Sequence, residues 1–215
     1  MIEQGTNEWH EQRLGLITAS RFADILKNGR AKGSPSLTLH TYARQLAAAR
    51  LTGNRIPSAS VAATRHGTKQ EPKAIMAYEE RTGAFVEPVG FVRHESLPYV
   101  GFSADGLIGD DGGLEAKSPF SPERHLLNLL ERCVPREYIP QVQGSLWISG
   151  RKWWDFIGYN ESFEPPLDLM VVRVERDEKM IALIEERCIY VESLVLQYIE
   201  QVQSGIDPLL VESVA

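Results

Sequence analysis

Gly109-Asp110-Asp111-Gly112-Gly113 is the stretch that leaves this chain least conformational freedom. Five consecutive residues of strong turn chemistry lie between segments 105–108 and 114–118, and they fold the second segment back beside the first as a β-hairpin. Asp105 is thereby carried next to residues 115–117. Glu115 and Lys117 are two apart on a strand, so their side chains leave on one face. Ala116 points to the opposite face, into the protein, while its carbonyl oxygen can still reach an ion.

This grouping has a specific chemical use. Two carboxylates converging with a main-chain carbonyl form a hard oxygen site of the kind Mg²⁺ prefers. A cation there neutralises phosphate charge and lowers the pKa of bound water. Lys117 supplies a point charge that positions that water or stabilises the extra negative charge of a transition state. Hydrolysis of phosphodiester bonds is the chemistry this suits. A bare pattern of Asp, then Glu-x-Lys, is short, and an ordinary hairpin with a surface ion pair satisfies it too. The Asp-Gly step, the turn length and the strand placement favour the site.

Around the hairpin the pattern is helical first and mixed afterwards. Asn7 is placed to cap a short helix through Arg13, and Thr18 to cap a second one carrying Phe22, Ile25 and Leu26. Residues 29–36 (GRAKGSPS) read as a mobile basic loop. Residues 37–51 predict a helix stopped near Gly53, and residues 61–82 a mostly helical segment that Pro72 kinks or restarts. Residues 85–93 and 99–103 have strand composition. Two helices follow, one from Pro122 and one ending near Gly150, then strands over 153–159 and 167–174. The final helix, 177–203, has an apolar stripe of Ile181, Ile184, Cys188, Val191, Val195, Tyr198 and Val202. The expected class is α/β, a central mixed sheet flanked by helices, in one domain over residues 1–215.

Composition adds exclusions. No apolar run approaches the roughly 20 residues of a membrane span, and the opening residues lack a signal-peptide pattern, so the expected location is cytoplasmic. Cys133 and Cys188 have neither CxxC spacing nor a histidine pair, which points to two reduced thiols rather than a disulfide framework or structural zinc. The net charge of −6 argues against a wholly DNA-coated surface. A local basic track remains compatible with it: Lys27, Arg30 and Lys32 lie together, and Arg44, Arg50, Arg55 and Arg65 follow.

The segments EWHEQRLGLITAS, SADG, GLEAKSPF, PQVQGSLW and VERDEKM, in this order from Glu8 to Met180, resemble the phage lambda exonuclease and YqaJ-like viral recombinase family. The resemblance implies a restriction-endonuclease-like fold and a magnesium-dependent 5′-to-3′ exonuclease on linear double-stranded DNA. It further implies 3′ overhangs for recombination by strand annealing, a ring-shaped homotrimer, a single-strand annealing protein as partner, and phage or prophage origin in a bacterial host. Mn²⁺ is the expected substitute for Mg²⁺, with one or two ions per site.

By the same resemblance Asp105 and Glu115 match the metal-binding acids, Ala116 the carbonyl ligand and Lys117 the active-site lysine. Glu71 matches a further glutamate that holds a second metal or the nucleophilic water. Gln141 matches a glutamine that steadies the site, with Tyr138 one helical turn before it. Arg13, Ser20 and Ser103 match positions that bind the 5′ phosphate, and an arginine with two hydroxyls is a reasonable phosphate pocket. Three departures stand out: Ala104 where proline is often seen, Pro72 directly after Glu71, and Pro140 directly before Gln141. The aromatic residues Trp147, Trp153 and Trp154 are expected in the core or an interface rather than stacked on DNA.

Alternatives stay open at this point. A restriction-type endonuclease or resolvase would use the same metal site and cut circular DNA. A non-catalytic DNA-binding module predicts lost ligands, and none is lost here. A purely structural protein would make the hairpin acids decorative. Iron–sulfur relatives of this nuclease class need four cysteines, and the chain has two.

Overall fold

Helix α1 (Asn7–Gln12) opens the computed structural model, which describes residues 4–31, 34–54 and 61–205 and all their side chains except those of 61–66 and 68. Its cap is Thr6 rather than Asn7: the threonine hydroxyl accepts the Trp9 amide at 3.3 Å. No residue of α1 is buried. Strand β1 (Ile17–Thr18) follows, then a 3₁₀ turn over Ala19–Arg21 and the short helix α2 (Phe22–Ile25). The described ends of the 29–36 loop are joined to each other. Asn28 bridges Pro35, and the Gly29 amide donates to Ser34 at 2.8 Å. Lys32 and Arg55 of the basic track lie outside the described residues, as does the side chain of Arg65.

Helix α3 (Leu37–Thr52) runs from Ser36, whose hydroxyl accepts the Leu39 amide at 3.1 Å, to Gly53. Gly53 takes φ +68°, the left-handed conformation that ends helices cheaply only at glycine. Helix α4 (Val61–Thr82) is continuous through Pro72, which is exposed, so the helix neither stops nor restarts there. Strands β2 (Phe91–Arg93), β3 (Val100–Ser103), β4 (Gly106–Ile108) and β5 (Gly112–Lys117) come next, then helices α5 (Pro122–Glu131) and α6 (Ile139–Ser149). Strands β6 (Trp153–Tyr159) and β7 (Leu169–Glu175) and helix α7 (Glu178–Gly205) complete the order. Among the described residues no helix is long and apolar enough to cross a membrane.

The strands form two sheets instead of one. The larger has order β4-β5-β6-β7, with β5 and β6 parallel and the outer pairs antiparallel, a mixed sheet as expected. The smaller has order β1-β3-β2, with β1 parallel to β3. Helices α5 and α6 make the crossover that a parallel β5–β6 pair requires.

Alternation along β5 and β6 divides the core. Trp154 and Phe156 face the larger cluster with Val142 and Leu146 of α6 and Ile184, Cys188 and Val191 of α7. Leu114 and Ile157 face the smaller cluster with Ala74 and Tyr78 of α4. Helices therefore cover both faces of the mixed sheet, and β6, buried from Trp154 to Gly158, is its centre. Gly113 fits this packing because the Trp154 ring lies across it; a Cβ there would stand 2.2 Å from the indole. The α7 stripe is buried as read from Ile181 to Val195; Tyr198 is half-buried and Val202 is 59% exposed.

Candidate active site

The expected hairpin forms with a shorter turn than the five residues expected, because Gly112 and Gly113 join β5: Gly106 stands opposite Leu114 and Ile108 opposite Gly112. Asp105 immediately precedes β4, and its Oδ2 accepts the Ala116 amide at 2.7 Å, which pins the carboxylate against β5. Glu115 is 1% exposed. Its Oε1 accepts the Lys117 ammonium and also the Gln141 amide, the latter at 2.6 Å. Its Oε2 is buried with no partner. Arg151 braces the turn below, its Nη1 donating to the carbonyls of Gly109 at 2.6 Å and Gly112 at 2.7 Å.

Gln141 reaches Glu115 from the first turn of α6. Pro140 stands at the start of that helix, where a missing N–H costs nothing. Tyr138 occupies the N-cap position. Its ring stacks on Phe156 at 5.6 Å and lies 5.4 Å from the Lys117 ammonium. Tyr138 is thus part of the wall beside the lysine, a role that the sequence left open.

The electrostatics of the group are those of crowded acids. Burial pushes the Asp105 carboxyl well above the usual carboxylate range; Glu115 adds to this, Lys117 opposes it, and Glu71 adds a smaller share. Glu71, on α4, is raised by burial and by the Glu115 charge, again against Lys117. Burial works against charge on Lys117, but Glu115 and Asp105 outweigh it and hold the lysine above its ordinary value. Three carboxyl groups therefore interact with one ammonium.

Such a site fits a divalent cation. It has hard oxygen donors, a surplus of negative charge and an orphaned buried carboxylate oxygen, each of which a cation would satisfy. Among the described residues no three His, Cys, Asp or Glu side chains are grouped to hold an ion. The donors available are Asp105, Glu115 and a main-chain oxygen, which suits a cation that keeps several waters.

The three expected phosphate-binding residues lie on α1, the 3₁₀ turn and β3. Arg13 is the C-cap of α1, and its guanidinium covers the Trp9 ring at 3.9 Å. Ser103 ends β3, where its Oγ accepts the Trp9 indole N–H at 2.9 Å. Ser20 is exposed on the 3₁₀ turn, which packs against β3, with its Oγ 3.3 Å from that of Thr18. Trp9 joins two of the three, and sequence reasoning passed over it. The signal was present: Trp9 and Arg13 are four apart on a helix, the spacing at which a cation meets a ring. Trp154 is buried, Trp153 lies under Arg173 at 3.7 Å, and Trp147 packs near His94 at 4.5 Å, so these three serve packing.

Two further networks border the site. Glu161 accepts from Gln70 at 2.7 Å and Lys73 at 2.5 Å, bracketing Glu71 on α4. On the α4 face of β6, Asp155 accepts Tyr78 Oη at 2.6 Å and a bidentate pair from Arg173 at 2.8 and 2.9 Å. The latter is a satisfied structural pair that ties α4 to the sheet.

Comparison with known proteins gives a consistent set of likenesses. The sequence matches the YqaJ-like viral recombinase domain over residues 8–152. It is similar to an alkaline exonuclease (LHK-Exo) from Laribacter hongkongensis, at 33% identity over 95% of this chain and 100% of that one, with a TM-score of 0.85. The structure of LHK-Exo in complex with dAMP matches equally, at 33% identity, the same 95% and 100% coverage and a TM-score of 0.85. A phage related exonuclease from Haemophilus somnus 129PT shares the fold, with a TM-score of 0.74 at 16% identity over 87% of this chain and 96% of that one. No curated protein matches the sequence.

Proposed function

This chain belongs to the YqaJ-like viral recombinase domain family, and from that premise we propose that it is a DNA exonuclease acting at duplex ends. The fold is the restriction-endonuclease-like α/β type of the phage exonucleases it resembles. The finer reading is a Mg²⁺-dependent enzyme, with Mn²⁺ as substitute, that shortens one strand of linear double-stranded DNA from its 5′ end and leaves a 3′ overhang. The observation that carries it is Glu115: a buried carboxylate with one oxygen fixed by Lys117 and Gln141 and the other left without a partner, beside Asp105.

Asp105, Glu115 and the Ala116 carbonyl would hold the cation, which when bound supplies charge neutralisation at the phosphate and a more acidic water. Gln141 and Lys117 keep Glu115 in one orientation, so the ligand oxygen is presented without reorganisation. Lys117, held charged by its acidic neighbours, is suited to stabilise negative charge developing on the phosphate oxygens. Glu71, with its raised pKa, is suited to take the proton of the attacking water or to help hold a second ion. Arg13, Ser20 and Ser103 would bind the 5′ phosphate. Each cut creates the group that anchors the next step, which gives polarity.

Homotrimer formation, an annealing-protein partner and residence in the cytoplasm of a phage- or prophage-bearing bacterium belong to the same proposal. The test is digestion of linear duplex carrying one 5′-phosphorylated and one 5′-hydroxyl end, in Mg²⁺ or in chelator. Loss of the phosphorylated strand only in Mg²⁺ is expected. Equal digestion in chelator would overturn the metal reading, and nicking of closed circles would favour an endonuclease.

A further inference from the structure

We propose that Trp9 is a positioning residue that sets specificity for a phosphorylated 5′ end. The proposal rests on the reading of Arg13 and Ser103 as phosphate-binding groups and goes beyond it. Trp9 touches both through different parts of one ring system: the indole N–H donates to Ser103 Oγ at 2.9 Å, and the indole face carries the Arg13 guanidinium at 3.9 Å.

The hydrogen-bond chemistry gives this arrangement a direction. An indole N–H only donates, so Ser103 Oγ must be the acceptor in that bond. The serine keeps its own O–H as a donor, and an ionised phosphate oxygen accepts only. Trp9 thus selects the polarity of Ser103 that suits an anion, and accepting one bond strengthens the donor side of the same hydroxyl. The cation–π contact acts on the other partner. A guanidinium held over a ring loses much of its rotamer freedom, which favours a planar fork kept in one place for phosphate.

The placement is not explained by core packing. Helix α1 has no fully buried residue, and Trp9, half-buried, belongs to neither core cluster. The helix is attached to the β3 end by directional bonds: Trp9 to Ser103, and just upstream Gln4 Nε2 to the Ala104 carbonyl at 2.6 Å. Ala104 directly precedes Asp105. One short segment therefore connects the proposed phosphate pocket with the hairpin that carries the acids.

The experiment compares initial rates on 5′-phosphorylated and 5′-hydroxyl linear duplexes for the full chain, Trp9→Phe and Trp9→Leu. Phenylalanine keeps a ring face for Arg13 and removes the N–H; leucine removes both. The phosphate-to-hydroxyl preference is expected to fall about three- to tenfold in Trp9→Phe, the scale of one neutral hydrogen bond, and further in Trp9→Leu. In a Ser103→Ala background, Trp9→Phe is expected to change the preference less than about twofold, since both substitutions remove one unit. An unchanged preference in both single variants, or equal loss on both substrates, would overturn the proposal. If Arg13→Ala and Ser103→Ala lose the preference while the Trp9 variants keep it, only the Trp9 role fails. If the unaltered chain has no preference, the phosphate pocket fails with it.

Discussion

Glu115 and Lys117 were legible because strand alternation and a strong turn signal fix their neighbours within a dozen residues. What the sequence could not give was the asymmetry of the Glu115 oxygens, which depends on Gln141 arriving from α6. Lys117→Ala removes the one cation among the acids. Turnover on linear duplex should fall at least about 10²-fold, the scale of losing one preorganised charge-stabilising group, while far-ultraviolet circular dichroism stays native. Asp105 has a second consequence. Its carboxyl titrates higher in the folded chain than in the unfolded one, so between those two values the folded state holds the extra proton and stability falls as pH rises. Asp105→Asn should therefore melt above the unaltered protein at pH 7 in chelator, by about 2–4 °C for each kcal/mol gained. The gap should close as pH falls to about 4, the ordinary carboxylate range. A gap that widens on acidification would contradict this ordering of the acids.

Elements differ in how plainly their residues announce them. Helices α3 and α7 and strand β6 are long and strongly patterned, and they form within a residue or two of the expected bounds. Strand β1 escaped notice because two residues carry no period; it exists through its parallel pairing with Val100 and Gly101. Of the 85–93 segment only Phe91–Arg93 becomes a strand, with Glu87 making a single bridge to Leu107. The close β5–β6 contact was also invisible, since an indole packed over a glycine on a neighbouring strand leaves no local signature. Gly113→Ala tests that contact. Its Cβ would meet the buried Trp154 ring at 2.2 Å, so a loss of about 1–3 kcal/mol is expected in denaturant melts. A neutral result would mean that β5 can slide over Trp154 without disturbing the hairpin.

At the scale of the whole molecule, a net charge of −6 must coexist with the proposed binding to a polyanion. Chelation should abolish digestion and added Mg²⁺ or Mn²⁺ restore it, measured as release of acid-soluble nucleotide. Activity that survives exhaustive chelation would remove the cation from the proposal. Sedimentation should find a species of about three times the 24.1 kDa chain mass; a monomer would end the ring reading while leaving the active site untouched. The mixed sheet with helices on both faces was legible from the order of patterned segments. Its separation from the β1-β3-β2 sheet was not, because that depends on a long-range pairing. Helix α1, fastened by side-chain bonds and without a fully buried residue, has its own dynamic consequence. Its backbone amides should exchange with deuterium far sooner than those of α6 or β6, because swinging it outward leaves both core clusters covered. A bound DNA end that clamps it should slow that exchange selectively. The N-terminal segment would then be a region whose rigidity records whether an end is engaged.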